Sequence, residues 1–104
     1  MNIAIDYDNT YTKDPEMWLD IIGIMQSKGH HVMCVTFRHE FECEIGRDKR
    51  LGEIDPRLKE KVDEFIATGR RAKFKYLYNL GIGVDIWIDD DPLTITGHHP
   101  ATIE

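Results

Sequence analysis

Short apolar runs alternate along the chain with stretches in which apolar residues recur at helical spacing. Ile3 to Asp6 is β-prone and followed by polar turn residues, which predicts a strand ending where its carboxylates begin. Asp14-Pro15 predicts a helix start, with Asp as N-cap and Pro at the first helical position, where a missing N–H costs nothing. Gly29 is the matching stop, and Trp18, Ile21, Ile22 and Met25 form one apolar stripe between them. His31 to Phe37 is mostly apolar and lacks strict alternation, as expected of a strand covered on both faces. The stretch 39–61 is charged and has no clear period, although Asp55-Pro56 repeats the helix-start chemistry. Glu64 to Thr68 predicts a third strand, Ala72 to Asn79 a helix closed by Gly81, and Val84 to Ile88 a fourth strand. Leu93 to Thr96 reads as a short added edge strand. Trp18, Trp87, Phe74 and Tyr78 are core candidates at strand or helix spacing, and Cys34 is a small core residue.

Strand alternating with helix predicts an α/β fold: a doubly wound, mostly parallel sheet of four or five strands with helices on both faces and right-handed crossovers. With 104 residues and neither repeat nor linker, the chain is read as one domain, 1–104. In such sheets ligands bind outside the carboxyl ends of the strands. The residues just past the apolar runs are Asp6 and Asp8, Thr36 and Arg38, and Asp89 and Asp90, while Lys73 opens the helix leading to the last strand.

Composition and charge narrow the ligand. Hydrophobic residues make up 41% and charged ones 31%, an ordinary globular balance. The net charge of -6 opposes strong non-specific binding to nucleic acid. The start MNIAIDYDNT has neither the cationic end nor the apolar core of a secretory signal, and no uncharged run has membrane-spanning length, so cytoplasmic residence without membrane insertion is expected. Two cysteines, Cys34 and Cys43, are too few for a disulfide framework or a four-ligand zinc site and are read as reduced. His30-His31 and His98-His99 lack metal-ligand spacing and are read as a turn and a frayed tail.

Paired carboxylates from two strand ends suit a hard divalent cation, and Mg²⁺ is the natural choice for a few carboxylates, waters and a substrate phosphate. Thr36 offers a hydroxyl and Lys73 a compact positive charge to phosphate oxygens. Arg38 either binds a distal phosphate as a fork or pairs with an acid at the surface. Tyr7, Tyr11 and Phe37 flank the strand ends and are candidates to touch a leaving group, while Arg70 and Arg71 are candidates for a basic rim. Asp91 is read as turn chemistry before Pro92.

The ordered set DYDNT, VTFR, a lysine and WIDDDP resembles the four motifs of the haloacid dehalogenase superfamily over nearly the whole chain. The resemblance implies that Asp6 is a nucleophile, that Asp8 is a general acid and base, and that Thr10 completes the first motif. Thr36 then matches the second motif, Lys73 in preference to Lys75 the third, and Asp89 with Asp90 the fourth. Asp6, Asp8, Asp89 and Asp90 are the implied metal set, with Thr10 and Arg38 as substrate-binding residues. The implied activity is that of a Mg²⁺-dependent phosphomonoester hydrolase working through a phosphoaspartate intermediate; an Asp at the second motif position sets it apart from the dehalogenases. Asp14-Pro15 comes almost at once after Thr10, and no later segment has room for a large cap, although 39–61 offers a small lid. An uncapped site suits a nucleotide, a phosphorylated nucleic acid end or a phosphoprotein. The brevity of the chain is similar to that of small phage proteins of this type. Alternatives are a phosphotransferase, a non-catalytic phosphate or nucleotide binder, and a receiver-like phosphoacceptor, whose acidic pair comes early rather than late.

Overall fold

A computed structural model describes residues 1–43 and 52–103. Four strands, β1 (Asn2–Ile5), β2 (His31–Thr36), β3 (Glu64–Ala67) and β4 (Ile86–Ile88), form one sheet in the order β3-β2-β1-β4. Every pairing is parallel: Ile3 lies opposite Val32 and Ile86, and Cys34 opposite Phe65. Parallel neighbours need crossovers, supplied by α1 (Pro15–Ser27) between β1 and β2, α2 (Pro56–Lys61) before β3, and α3 (Lys73–Asn79) between β3 and β4. This is the expected α/β arrangement with a four-strand parallel sheet.

Local chemistry accounts for the helix ends. The Asp14 carboxylate accepts the Met17 N–H at 3.2 Å, and the Asp55 carboxylate accepts the Arg57 N–H at 2.9 Å, so both Asp-Pro pairs start helices as read from sequence. Gly29, just past α1, takes φ 89°, a conformation that costs a residue with a Cβ far more than glycine.

Side chains alternate across a strand, so neighbouring strand residues feed two separate cores. Ile5, Val32 and Cys34 pack with Ile22 of α1 and Leu58 of α2. Ala4, Met33 and Val35 pack with Leu77 of α3. Trp18 and Trp87 pack half-buried against these two cores, and Cys34 is fully buried as a free thiol.

Three expectations are corrected. Leu93–Thr96 is not an edge strand but a short helix, α4, in which the Asp91 carbonyl accepts both the N–H and the hydroxyl of Thr94. Its β-branched residues favour a strand, but the turn at Asp91-Pro92 and the left-handed Gly97 that ends the helix override them. Phe74 and Tyr78 are not core residues: they are 59% and 71% exposed and stack on each other at the surface. The buried face of α3 is Lys73 with Leu77, four residues on, so the ion pairs of a lysine set the rotation of the helix. His98-His99 does not belong to a frayed tail, because His99 packs edge-on against Phe37 and the Ile103 N–H donates to the Arg70 carbonyl at 2.8 Å.

Among the described residues, no helix is long and apolar enough to cross a membrane. The candidate lid at 39–61 lies partly outside the described residues; within them are a single 3-10 turn at Glu40–Cys43 and α2.

Truncating Ile22 to Ala should lower stability by about 2–5 kcal/mol, because it opens a cavity between α1 and the sheet. Tyr78→Ala should stay within about 0.5 kcal/mol of wild type. Urea unfolding of both variants checks the assignment, and a large loss at Tyr78 would contradict the exposed placement of that face of α3.

Candidate functional site

The strand order reverses between β1 and β4: the chain runs outward from β1 through β2 to β3, then returns to the other side of β1. The carboxyl ends of β1 and β4 therefore flank the crevice where open parallel sheets hold ligands. Asp6 lies directly past β1 and stays tied to β4 through its N–H, which donates to the Ile88 carbonyl at 2.9 Å. Asp89 and Asp90 come directly after β4. Oxygens of Asp6, Asp89 and Asp90 all lie within 4.8 Å of one another.

Lys73 joins two of these acids. Its ammonium, on a residue only 1% exposed, donates to Asp6 Oδ1 at 2.8 Å and to Asp89 Oδ2 at 2.6 Å. Lys75 is exposed, so of the two lysines weighed from sequence it is Lys73 that meets the acids. The Thr10 hydroxyl faces Asp6 Oδ2 at 3.2 Å and Asp90 Oδ1 at 3.1 Å, while its oxygen accepts the Asp90 N–H. One hydroxyl proton cannot satisfy both carboxylates at once. Asp89 also accepts the Asp91 N–H at 3.0 Å and faces the Thr94 hydroxyl at 3.4 Å.

Three carboxylates against one ammonium leave an excess of negative charge. Burial of Asp6 is the largest influence on its carboxyl and raises its pKa; Lys73 pulls the other way, and Asp89 and Asp90 add to the rise, leaving a pKa of about 7. An all-oxygen donor set of this kind could hold a hard cation, and a bound cation would replace the proton as the neutralising charge.

Asp8 and Arg38 occupy a different part of the site. Were residues 6–8 extended, Asp6 and Asp8 would point to one side, but the chain turns from Tyr7 to Thr10, with Asn9 at φ 62°. The Asp8 carboxylate is thus not one of the clustered three. It receives the Arg38 fork, Nη2 to Oδ1 at 2.6 Å and Nε to Oδ2 at 2.8 Å. Arg38 is only 1% exposed while Asp8 is 37% exposed, so Arg38 does pair with an acid, through a part-buried contact whose guanidinium end is covered. Thr36, at the end of β2, is fully buried, and its Oγ1 accepts the Arg38 N–H at 3.3 Å.

The aromatic residues beside the strand ends have structural partners. Tyr7 and Tyr11 are buried and stacked; the Tyr7 hydroxyl donates to the Glu53 carbonyl and accepts the Asp55 N–H, and the Tyr11 hydroxyl donates to Asp55 Oδ2. They tie the first loop to the start of α2 and are not presented to a leaving group. Phe37 is buried beneath His99 and the Arg70 guanidinium, and Arg70 itself pairs with Glu42. Sequence reading missed Thr94. Its only signal is a third Asp-Pro pair at Asp91-Pro92, although here Pro92 itself is the N-cap and no side chain caps the helix.

A shallow cleft of about 360 Å³, lined by Asn9, Thr10, Lys13 and Trp18, opens onto Asp89 and Asp90. A larger groove of about 460 Å³ beside α3, lined by Phe74, Lys75 and Ile103, includes none of the acidic cluster.

No protein-family model, curated protein or solved structure matches the chain.

The raised pKa of Asp6 fixes the sign of a pH effect. The folded chain keeps a proton on Asp6 that the unfolded chain releases, so this contribution to stability is full below about pH 4 and is lost as pH rises through about 7. In cation-free buffer, Asp6→Asn should gain stability relative to wild type across that window, measured by urea unfolding at several pH values. A difference independent of pH would refute the assignment. Mg²⁺ or Mn²⁺ should raise the melting temperature of the wild type more at about pH 8 than at about pH 5, and Asp89→Asn should lose most of that increment.

Proposed function

We propose that the chain is a Mg²⁺-dependent phosphomonoester hydrolase of haloacid dehalogenase type, with a doubly wound fold and no large cap, forming a phosphoaspartate on Asp6. The observation that carries this reading is the meeting of Asp6, Asp89, Asp90 and Lys73 at the carboxyl ends of β1 and β4, residues far apart in sequence. The order of the motifs along the chain supports it, as does the reversal of strand order at the cluster.

Asp6 has one oxygen on Lys73 and the other toward Thr10, so ion pairing orients its carboxylate without covering it entirely. In the first half-reaction an Asp6 oxygen attacks phosphorus, the bond from phosphorus to the leaving oxygen breaks, and Asp8, entering this step as the carboxylic acid, delivers its proton to that oxygen. In the second, water attacks the aspartyl phosphate, Asp8 takes a proton from it, and inorganic phosphate leaves with Asp6 restored. Lys73 neutralises charge that grows on the phosphoryl oxygens. Asp6, Asp89 and Asp90 would hold the Mg²⁺, which when bound would supply further charge neutralisation at the phosphoryl oxygens. Thr10 keeps Asp6 and Asp90 in register through its shared hydroxyl.

The shallow cleft beside Asp89 and Asp90 favours a substrate that brings its own bulk, such as a phosphorylated nucleic acid end, a nucleotide or a phosphoprotein. A screen of aryl phosphates, nucleotides, phosphorylated oligonucleotides, sugar phosphates and phosphopeptides with Mg²⁺ tests the reading. Turnover should fall by at least about 10⁴-fold in Asp6→Asn and vanish reversibly with EDTA. Asp8→Asn should slow formation and breakdown of the intermediate by about 10²-fold or more. A wild type that turns over none of these substrates would leave a phosphate binder in place of an enzyme.

A further inference from the structure

Arg38 takes no part in those two half-reactions, yet it is among the most completely buried charged residues of the molecule. Burying a guanidinium is costly unless its donors are met, and here they are met on two sides. Toward the loop after β1, Nη2 and Nε make a two-bond fork to the two oxygens of Asp8, at 2.6 and 2.8 Å. Away from it, Nη1 donates to the Glu42 carbonyl at 3.0 Å and to the Gly52 carbonyl at 2.8 Å. The guanidinium also lies 5.2 Å from the centre of the Tyr7 ring, and the Arg38 backbone N–H is anchored on Thr36. Among the described residues, β2, the Tyr7 ring and two backbone carbonyls hold it in place.

Exposure separates the two partners. The Arg38 side chain is 1% accessible, whereas that of Asp8 is 37% accessible. The Asp8 carboxyl group is open to solvent, whereas the guanidinium is not. We propose that Arg38 is a positioning residue, which fixes the Asp8 carboxyl group for proton transfer and does not bind the substrate phosphate. This rests on the hydrolase reading, in which Asp8 moves the proton, and it replaces the phosphate-binding role expected of Arg38 from sequence. Because a fork specifies orientation as well as charge, lysine is a poor substitute at this position.

The test uses the full chain with Mg²⁺ and a series of aryl and alkyl phosphates whose leaving groups differ in basicity. Proton delivery matters most for the most basic leaving group. Arg38→Lys should lose about 10-fold or more in single-turnover cleavage of an alkyl phosphate and much less with a nitrophenyl phosphate, with KM and inhibition by inorganic phosphate within about twofold of wild type. In an Asp8→Asn background the same substitution should cost less than about twofold, because a residue acting only through Asp8 has nothing left to position. Arg38→Gln, which keeps hydrogen-bonding capacity without charge, serves the same cycle should the lysine variant unfold by circular dichroism. A loss equal for all leaving groups, a raised KM with weaker phosphate inhibition, or an undiminished loss in the Asp8→Asn background would overturn the proposal while leaving the hydrolase reading intact. Wild type lacking any turnover that Asp6→Asn removes would overturn both.

Discussion

A buried ammonium joins the three parts of the chain that make the site. Lys73 opens α3, Asp6 closes β1 and Asp89 closes β4, and two hydrogen bonds from one nitrogen hold them together. A buried ion pair is weak evidence of net stability, since desolvation offsets much of the attraction. Its effect here is geometric. Removing either partner would strand a charge in a low-dielectric interior, so the rotation of α3 is set by the lysine. Leu77 turns inward with it, and the larger aromatic residues Phe74 and Tyr78 are left on the outer face.

That hierarchy explains which features can be read from sequence. Apolar runs such as His31 to Phe37, and the Asp-Pro starts of α1 and α2, depend on local chemistry and lie within a residue or two of their expected places. The four-strand parallel sheet results from their alternation with helices. Helix rotation is different, because hydrophobic periodicity assumes that charges face water, and Lys73 breaks that assumption. The Leu93–Thr96 helix escapes for a related reason: its β-branched residues speak for a strand, while the deciding hydrogen bonds run from Thr94 back to the Asp91 carbonyl.

Within the candidate site, Asp6, Asp89, Asp90 and Lys73 can be named from the positions that come after strands and open the third crossover helix. The separation of Asp8 from them cannot. A two-residue spacing places side chains together only along extended chain, and the turn beginning at Tyr7 sends Asp8 toward Arg38. That partner is supplied by the end of β2, thirty residues away. Pairing across such a distance leaves no local signature, and the burial of an arginine runs against composition-based expectation.

The acidic cluster is also short of donors. Each ionised carboxylate offers roughly four lone-pair sites, whereas the described side-chain and turn donors to these three acids are two bonds from Lys73, a Thr10 hydroxyl that must be shared, the Asp91 N–H and the Thr94 hydroxyl. The raised pKa of Asp6 comes first from burial, with Asp89 and Asp90 adding to it against the pull of Lys73; acceptor capacity also exceeds the described protein donors, an imbalance that a single proton relieves only in part. A divalent cation relieves it more fully, because it neutralises two charges and accepts several oxygens at once. Lys73 need not leave for this to occur, as it occupies only part of the capacity of Asp6 and Asp89. The lysine thus assembles the acids, and a bound cation could neutralise the surplus of negative charge that remains.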